Sequence, residues 1–291
     1  MTTVRLPDFL IIGAMKAGTT TLYQDLKRQK AVFLPNRKEP MNLVDSNVLS
    51  KRGRAAYARL FQEARPEQLC GEASTHYTQR PAYEGMAERA HELLGDQIKL
   101  IFLARNPIDR AISHHHHQYL RREADSDVNQ YLLQNDYPVR VSQYSMQLEP
   151  WVTTFGLESI LLIPFEHFVA DRQGTLQQVG QFLGIEVDPQ MVDSKRTSNV
   201  SATKRQIPAW IRFAGQTSFT ASLRKVLPKP LYTRLRNMIS YTLPPPRKAT
   251  FTTAELLREQ LEPDQHRLEQ MFGLEEPLWD LGATVEKFRD S

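Results

Sequence analysis

The stretch "LIIGAMKAGTTTLY", Leu10 to Tyr23, limits the fold more than any other part of this chain. Phe9 to Ile12 is a short apolar run that reads as a buried strand. A loop containing Gly13 and Gly18 follows, and then a helical pattern from Thr19 to Lys30 with Leu22 and Leu26 on its apolar face. Strand, glycine loop and helix in this order form the unit that cradles phosphates. The glycines let the backbone approach an anion, and the helix N-terminus aims N–H groups and a partial positive charge at it. ATP- and GTP-binding loops end G-K-[ST], but here Thr19 follows Gly18 and the lysine, Lys16, sits inside the loop. The expected anion ligands are Lys16, the N–H groups of Ala17, Gly18, Thr19 and Thr20, and the hydroxyls of Thr19, Thr20 and Thr21.

The rest of the chain repeats the alternation. Ala31–Pro40 reads as a short extended segment, and Lys51 to Ala64 as a helix. Leu69–Thr75 reads as a strand running into a loop, and Pro81 to Leu94 as a helix stopped by Gly95. "IKLIFLARNP", Ile98–Pro107, is apolar on both faces, as a central parallel strand is, and a helix follows from about Ile108. Ser159–Phe168 reads as another buried strand. Helices are expected over Gln173 to Leu183, before Gly184, and over Thr253 to Phe272, before Gly273. Strands alternating with helices predict an α/β fold, P-loop-like, with a mostly parallel central sheet and helices on both faces. There is no internal repeat.

A chain of 291 residues, 41% hydrophobic and 24% charged, has the composition of a soluble globular protein. No stretch approaches the roughly 20 apolar residues of a membrane span, and the N-terminus has no signal-peptide pattern. The single cysteine, Cys70, cannot form an internal disulfide and falls in a predicted strand. A cytoplasmic location is the expectation. The net charge of +4 conceals an asymmetry: Ser194 to Ala254 holds twelve Lys and Arg and no acid. Such a stretch suits a polyanion surface, an anionic-ligand cradle, a membrane-facing segment or a solvated rim.

A second segment carries chemistry. In "LARNPIDRAISHH", Leu103–His115, a buried strand ends in Arg105, and Ser113 follows eight positions later on the next helix. Ligands of open α/β sheets bind at the carboxyl ends of strands. An arginine there can grip a phosphate with two parallel hydrogen bonds, and the serine can complete the grip. The strand does not end in the acid that holds Mg²⁺ in many nucleotide hydrolases.

With both segments in view, the chain resembles the PAPS-dependent sulfotransferase family, in particular its glycan branch of heparan sulfate sulfotransferases and their bacterial relatives. Gly13–Thr20 is similar to the family pattern G-x-x-K-[AS]-G-T-T, and Arg105–Ser113 to R-[ND]-P-x-x-R-x-x-S. "RKEP" at Arg37–Pro40, "GEASTHY" at Gly71–Tyr77, "SQYSMQLEPW" at Ser142–Trp151, "FEHF" at Phe165–Phe168 and "LEPDQHRLEQMFG…LW" at Leu261–Trp279 extend the resemblance over nearly the whole chain. It implies one sulfotransferase domain, residues 1–291, with a basic loop and helix insertion at about 194–254. It also implies that the first loop takes the phosphosulfate end of 3′-phosphoadenosine 5′-phosphosulfate (PAPS) and that Arg105 and Ser113 take its 3′-phosphate. Lys204 and Arg205 would cover the nucleotide, and adenosine 3′,5′-bisphosphate would be the product. Lys16 would then stabilise charge on the leaving oxygen, with no metal required.

The acceptor hydroxyl must lose its proton to a group in hydrogen-bond reach. The resemblance makes Glu39, in the K-E-[PLV] position, the first choice. Glu72 and His76, in "GEASTHY", are rivals. The glycan enzymes commonly follow that glutamate with a histidine and aromatics, whereas this chain reads Met41-Asn42-Leu43. The run His114–His117 lies in a predicted helix where adjacent side chains diverge, so helix packing and lining of the nucleotide cleft are expected rather than a metal site.

The expected function is sulfuryl transfer from PAPS to a hydroxyl of a carbohydrate or glycolipid, with a small-molecule or lipid-like alcohol as the alternative acceptor. From other classes, an ATP-dependent P-loop kinase would need Mg²⁺ and a lysine after Gly18, and a non-catalytic nucleotide- or polyanion-binding module would bind without turnover. Nucleic-acid binding lacks any motif. The basic segment is suited to peripheral membrane contact, and oligomeric state is not legible.

Overall fold

The computed structural model describes residues 5–192 and 243–290. Its centre is a five-stranded sheet in the order β2-β3-β1-β4-β5. The strands are β1 (Phe9–Gly13), β2 (Val32–Phe33), β3 (Leu69–Ala73), β4 (Lys99–Ala104) and β5 (Ile160–Pro164). Every pairing is parallel, with Leu10 opposite both Glu72 and Leu100, and Ile101 opposite Leu161. Phe9–Ile12 and Leu100–Ala104 are entirely buried, which is why both strands read as continuous apolar runs. A strand covered on both faces has no solvent side to mark with polar residues.

The helices are α1 (Thr19–Lys27), α2 (Lys51–Ala58), α3 (Met86–Leu94), α4 (Pro107–Arg121), α5 (Val128–Gln134), α6 (Tyr137–Ser142), α7 (Tyr144–Phe155), α8 (Phe165–Ala170), α9 (Arg172–Leu183), α10 (Phe251–Phe272) and α11 (Leu281–Glu286). The crossover β1–α1–β2 runs toward one edge of the sheet, and the later crossovers run toward the other. Right-handed connections therefore put α1 on one face and α2, α3 and α4 on the opposite face. The helix contacts agree, with α1 packed on α9 and α3 on α7.

The expected elements appear with altered ends. The helix expected over Pro81–Leu94 starts at Met86, after Gly85 in the left-handed region at φ 73°. The segment expected as strand through Phe168 stops at Pro164, where the backbone turns into α8. The helix expected over Lys51–Ala64 is α at Lys51–Ala58 and then 3₁₀ at Arg59–Phe61. Lys204, Arg205 and the basic segment as far as residue 242 lie outside the described residues. Among the described residues no helix is long and apolar enough to cross a membrane. Cys70 is buried in β3, and burial pushes its thiol up to about 11.

Two polar contacts lock layers together. Asp264 of α10 is buried at the N-terminus of α7, where its carboxylate accepts from the N–H groups of Ser145 (3.0 Å) and Met146 (3.2 Å) and from the Ser145 hydroxyl. Two sequence segments 119 residues apart are thereby one structural unit. Asp25 of α1, 1% exposed, accepts from Arg172 of α9 through Nη2 at 2.6 and 2.8 Å and Nε at 3.2 Å. Breaking a buried pair by removing one partner leaves an uncompensated charge. Asp25→Ala is therefore expected to cost about 3–5 kcal/mol of stability, measured by urea denaturation. A loss below about 1 kcal/mol would mean that the pair behaves as a surface ion pair.

Candidate active site

A cleft of about 1110 Å³ opens at the carboxyl ends of β1, β3 and β4. It brings together Lys16, Gly18, Thr19, Thr20 and Thr21 from the first loop with Arg105 and Ser113 from the β4–α4 unit. Glu39 and His76 line the same cleft.

The first loop is shaped by two left-handed residues, Lys16 at φ 72° and Gly18 at φ 87°. Gly18 is required sterically as well, since a Cβ there would stand 2.8 Å from the Phe165 ring. Thr21 and Leu22 donate to Gly18 O at 2.8 and 3.2 Å, the first bonds of α1. The amides of Gly18, Thr19 and Thr20 precede those bonds, as the leading N–H groups of a helix do. Ala17 departs from expectation. Its N–H donates to Ala14 O at 3.2 Å and its side chain is buried, so it closes the turn instead of facing an anion.

Arg105 lies at the end of β4 with its guanidinium over the Phe165 ring, 5.3 Å from the centroid, and Nη1 3.5 Å from Lys16 O. It has no carboxylate partner among the described residues, so it is not a structural ion pair. Its backbone is fixed from both sides. The Tyr144 hydroxyl donates to Arg105 O at 2.7 Å, and the Asn106 side chain caps α4 by accepting from the N–H groups of Ile108 (3.1 Å) and Asp109 (3.3 Å). Asn106 N–H donates to Glu166 at 3.0 Å, and Glu166 also accepts from the Trp279 indole at 2.8 Å. On α4, Asp109, Ser113 and His116 share the cleft face at helical spacing.

The histidine run divides. His115 turns away, with Nε2 2.8 Å from Asp125 O. His114, 2% exposed, packs edge-on to the Tyr137 ring at 5.5 Å, and burial, helped by the nearby Arg110, His117 and Lys16 charges, pushes its imidazole down to about 3. His116 lines the cleft together with His114 and His117, although its spacing does not share their face. Beneath α4, Arg110 is fully buried and is held by the Ser142 hydroxyl (2.6 Å) and Pro138 O. Burial lowers it to about 10.

Glu39 also has a left-handed backbone, φ 58°. Its Oε2 accepts from Thr75 N–H at 2.7 Å and lies 3.5 Å from His76 Nδ1, and its Oε1 pairs with Lys38. Burial pushes its carboxyl up, but His76, Lys38 and the Thr75 amide outweigh burial and leave it below the ordinary carboxylate range. Glu39 is thus an ionised carboxylate inside the cleft and not a surface partner of Lys38. Glu72, the rival, lies away from the cleft surface. It is 1% exposed in β3, receives the hydroxyls of Tyr57 and Tyr77, and does not line the cleft. Burial raises its carboxyl. Sequence reasoning did not single out Phe165, Lys38, Thr75, Gln79, Tyr83, Tyr137 and Arg172 as cleft residues. For Lys38 and Thr75 a signal existed, because each adjoins a residue already singled out.

The parallel sheet, the left-handed loop at a helix N-terminus and the cationic cleft define a class, and comparison makes it specific. The chain belongs to the sulfotransferase domain family, whose pattern it matches over residues 6–225. It is 26% identical over 196 residues to mouse (Mus musculus) heparan sulfate glucosamine 3-O-sulfotransferase 5, covering 62% of this chain and 54% of that one. It is 28% identical over 193 residues to mouse heparan sulfate glucosamine 3-O-sulfotransferase 3B1, covering 62% and 47%. The chain thus spans about half the length of these curated relatives. The crystal structure of a sulfotransferase from Alicyclobacillus acidocaldarius superposes with a TM-score of 0.67 at 22% identity, covering 96% of this chain and 99% of that one, which shows the shared fold.

Gly184 is a control for Gly18, since it too is left-handed (φ 71°) but a Cβ there would meet nothing within 4 Å. Gly184→Ala is expected to cost about 1 kcal/mol in backbone strain, and Gly18→Ala clearly more because the added methyl also meets Phe165. Chemical denaturation of both variants measures the difference, and equal losses would remove the steric role of Phe165.

Proposed function

We propose that this chain transfers a sulfuryl group from PAPS to a hydroxyl acceptor, a carbohydrate or glycolipid. The observation that carries the reading is the convergence of three elements in one cleft: the Lys16 loop at the start of α1, the Arg105–Ser113 pair, and the ionised Glu39. The kinship to enzymes named for heparan sulfate glucosamine supports the acceptor class. A small-molecule or lipid-like alcohol is the second reading, favoured by Met41-Asn42-Leu43 after Glu39.

Bound PAPS supplies the activated sulfuryl group. The amides of Gly18, Thr19 and Thr20 and the threonine hydroxyls hold its 5′-phosphate end, while Arg105 and Ser113 hold the 3′-phosphate. Glu39 takes the proton of the acceptor hydroxyl as its oxygen bonds to sulfur. The bond from sulfur to the phosphate oxygen breaks, and adenosine 3′,5′-bisphosphate leaves with its new charge near Lys16. His76 and Thr75 hold the Glu39 carboxylate in place. Lysine, arginine and helix N–H groups supply the positive charge, so the reading invokes no metal. The resemblance adds Lys204 and Arg205 as a cover for the nucleotide. We read 1–291 as one domain with a basic insertion at about 194–254, suited to peripheral membrane contact. A cytoplasmic setting fits a lone buried thiol.

Calorimetric titration tests the donor site. Adenosine 3′,5′-bisphosphate is expected to bind without metal and in preference to 5′-AMP, and Arg105→Ala is expected to weaken it by about 1.5–3 kcal/mol, the worth of a charged hydrogen bond. Preference for ATP–Mg²⁺ would move the chain to the kinase class. Steady-state rates test the chemistry, read with labelled PAPS over an acceptor panel. Lys16→Ala and Glu39→Gln are each expected to cut turnover by about 10²–10⁴-fold, with nucleotide affinity retained in Glu39→Gln. A base must be unprotonated, so activity is lost as pH falls through its pKa. Because Glu39 is held low, the acid limb belongs below the ordinary carboxylate value of about 4.3. A limb at ~6–7, in the imidazole range, would move the role to a histidine.

A further inference from the structure

The cleft contains polar atoms that the proposed chemistry does not use. Gln79 Nε2 and both ring nitrogens of His114 are buried without a hydrogen-bond partner among the described residues. Gln79 is 3% and His114 2% exposed, and both line the cleft. Buried polar atoms of native proteins nearly always find partners, so a group of unpaired ones on residues that wall a cavity points to a ligand. Tyr137 joins them. Its hydroxyl donates to Gln79 Oε1 at 2.7 Å, and its ring edge meets His114 at 5.5 Å. The Gln79 carboxamide is thereby turned so that its N–H₂ is the group left to offer. Gln79 follows His76 by three residues, which puts this cluster on the acceptor-base side of the cleft. Tyr83, packed edge-on to His76 at 5.3 Å, adds an apolar ring to the cleft wall.

The donor and acceptor pattern specifies the chemistry. A neutral imidazole offers one N–H and one lone pair, and a carboxamide with its oxygen occupied offers N–H donors. A carboxylate or sulfate only accepts, so it would leave the imidazole lone pair unmet and facing a negative charge. A hydroxyl both donates and accepts and satisfies both groups. We infer that Gln79, His114 and Tyr137 form a subsite for a neutral diol of a saccharide ring, which orients the neighbouring hydroxyl toward Glu39. The inference rests on the sulfotransferase reading for the identity of that hydroxyl, but the subsite itself is a binding claim.

The probes are methyl β-D-glucopyranoside and its glucuronate analogue, titrated by saturation-transfer NMR with adenosine 3′,5′-bisphosphate at saturation. The glucoside is expected to bind more tightly than the glucuronate. Gln79→Leu and His114→Phe are each expected to raise its Kd about tenfold or more, because each leaves a sugar hydroxyl unmet. In Gln79→Leu nucleotide affinity should hold, and in both variants the melting temperature should stay level or rise as a buried unpaired group is removed. Should His114→Phe not fold, Gln79→Leu carries the same expectation. Absence of glucoside binding while the nucleotide binds overturns the subsite. So does an unchanged Kd in the variants, tighter binding of the glucuronate, or, in Gln79→Leu, a nucleotide affinity that falls with the glucoside's. Glucoside binding that is lost in the variants, from a protein that does not bind the nucleotide, keeps the subsite and overturns the sulfotransferase reading.

Discussion

The parallel insertion of β1 between β3 and β4 is the constraint on which the rest depends. Parallel strands deliver all their carboxyl ends to one edge of the sheet. With Ile11 opposite both Ala73 and Ile101, the loop after β1, the turn after β3 and the turn after β4 emerge side by side. Lys16, Thr75 with His76, and Arg105 are neighbours for that reason alone. Apolar burial of β1 and β4 fixes the register, since a slipped parallel strand would misalign every packed side chain. The polar network then trims the positions. Tyr144 holds the Arg105 carbonyl, Asn106 caps α4, and Glu166 joins Asn106 to Trp279 near the chain's end.

Charge in the cleft is arranged by leaving some groups unmatched and matching others. Arg105 rests on an aromatic face with no acid paired to it among the described residues. Arg172, at the cleft wall, is committed to Asp25 and serves the packing of α1 on α9. Glu39 has the opposite treatment from Glu72. The first is surrounded by donors and a lysine and stays ionised. The second meets the hydroxyls of Tyr57, Tyr77 and Ser74 but no cation in a buried strand environment, and burial raises it. Two carboxylates near the turn after β3 thus acquire different chemistry, because hydrogen-bond donors and a lysine outweigh burial at Glu39 and do not at Glu72.

What was legible follows the same physics. Continuous apolar runs reveal strands buried on both faces, so β1 and β4 are readable, as are the Lys16 loop and the Arg105 turn that continue from them; β5 shows a similar run although it is an edge strand with Leu161 and Leu162 only half-buried. The Ala17 amide was not readable, because whether a loop N–H faces outward or closes a turn depends on its φ and ψ. The end of β5 was missed because Phe165–Phe168 is apolar enough to prolong a strand pattern, whereas Pro164 marks the turn. Helices α5 to α7 are short and irregular in their apolar spacing, and α7 contains Pro150. Their order comes from tertiary partners such as Asp264, 119 residues from Ser145. The resemblance alone favours Glu39 over Glu72, and the topology adds the physical distinction between a side chain inside a strand and one that lines the cleft.

Backbone strain points to the same place as the charges. Six glycines occupy positive φ among the described residues, at turns and helix ends where no side chain is needed. Four other residues do so at a cost, namely Lys16, Glu39, Met41 and Arg122. A non-glycine residue in that region costs on the order of 1 kcal/mol, and glycine would relieve it at any of the four. At Lys16 and Glu39 glycine would also delete a cation and a carboxylate that line the cleft. Gly18, two residues from Lys16, shows the alternative, because there the Phe165 ring fills the space a side chain would need. Within one loop, then, the backbone is strained at a charged residue that lines the cleft and takes glycine where a ring packs against it. That division accords with the role proposed for the Lys16 ammonium group in the cleft.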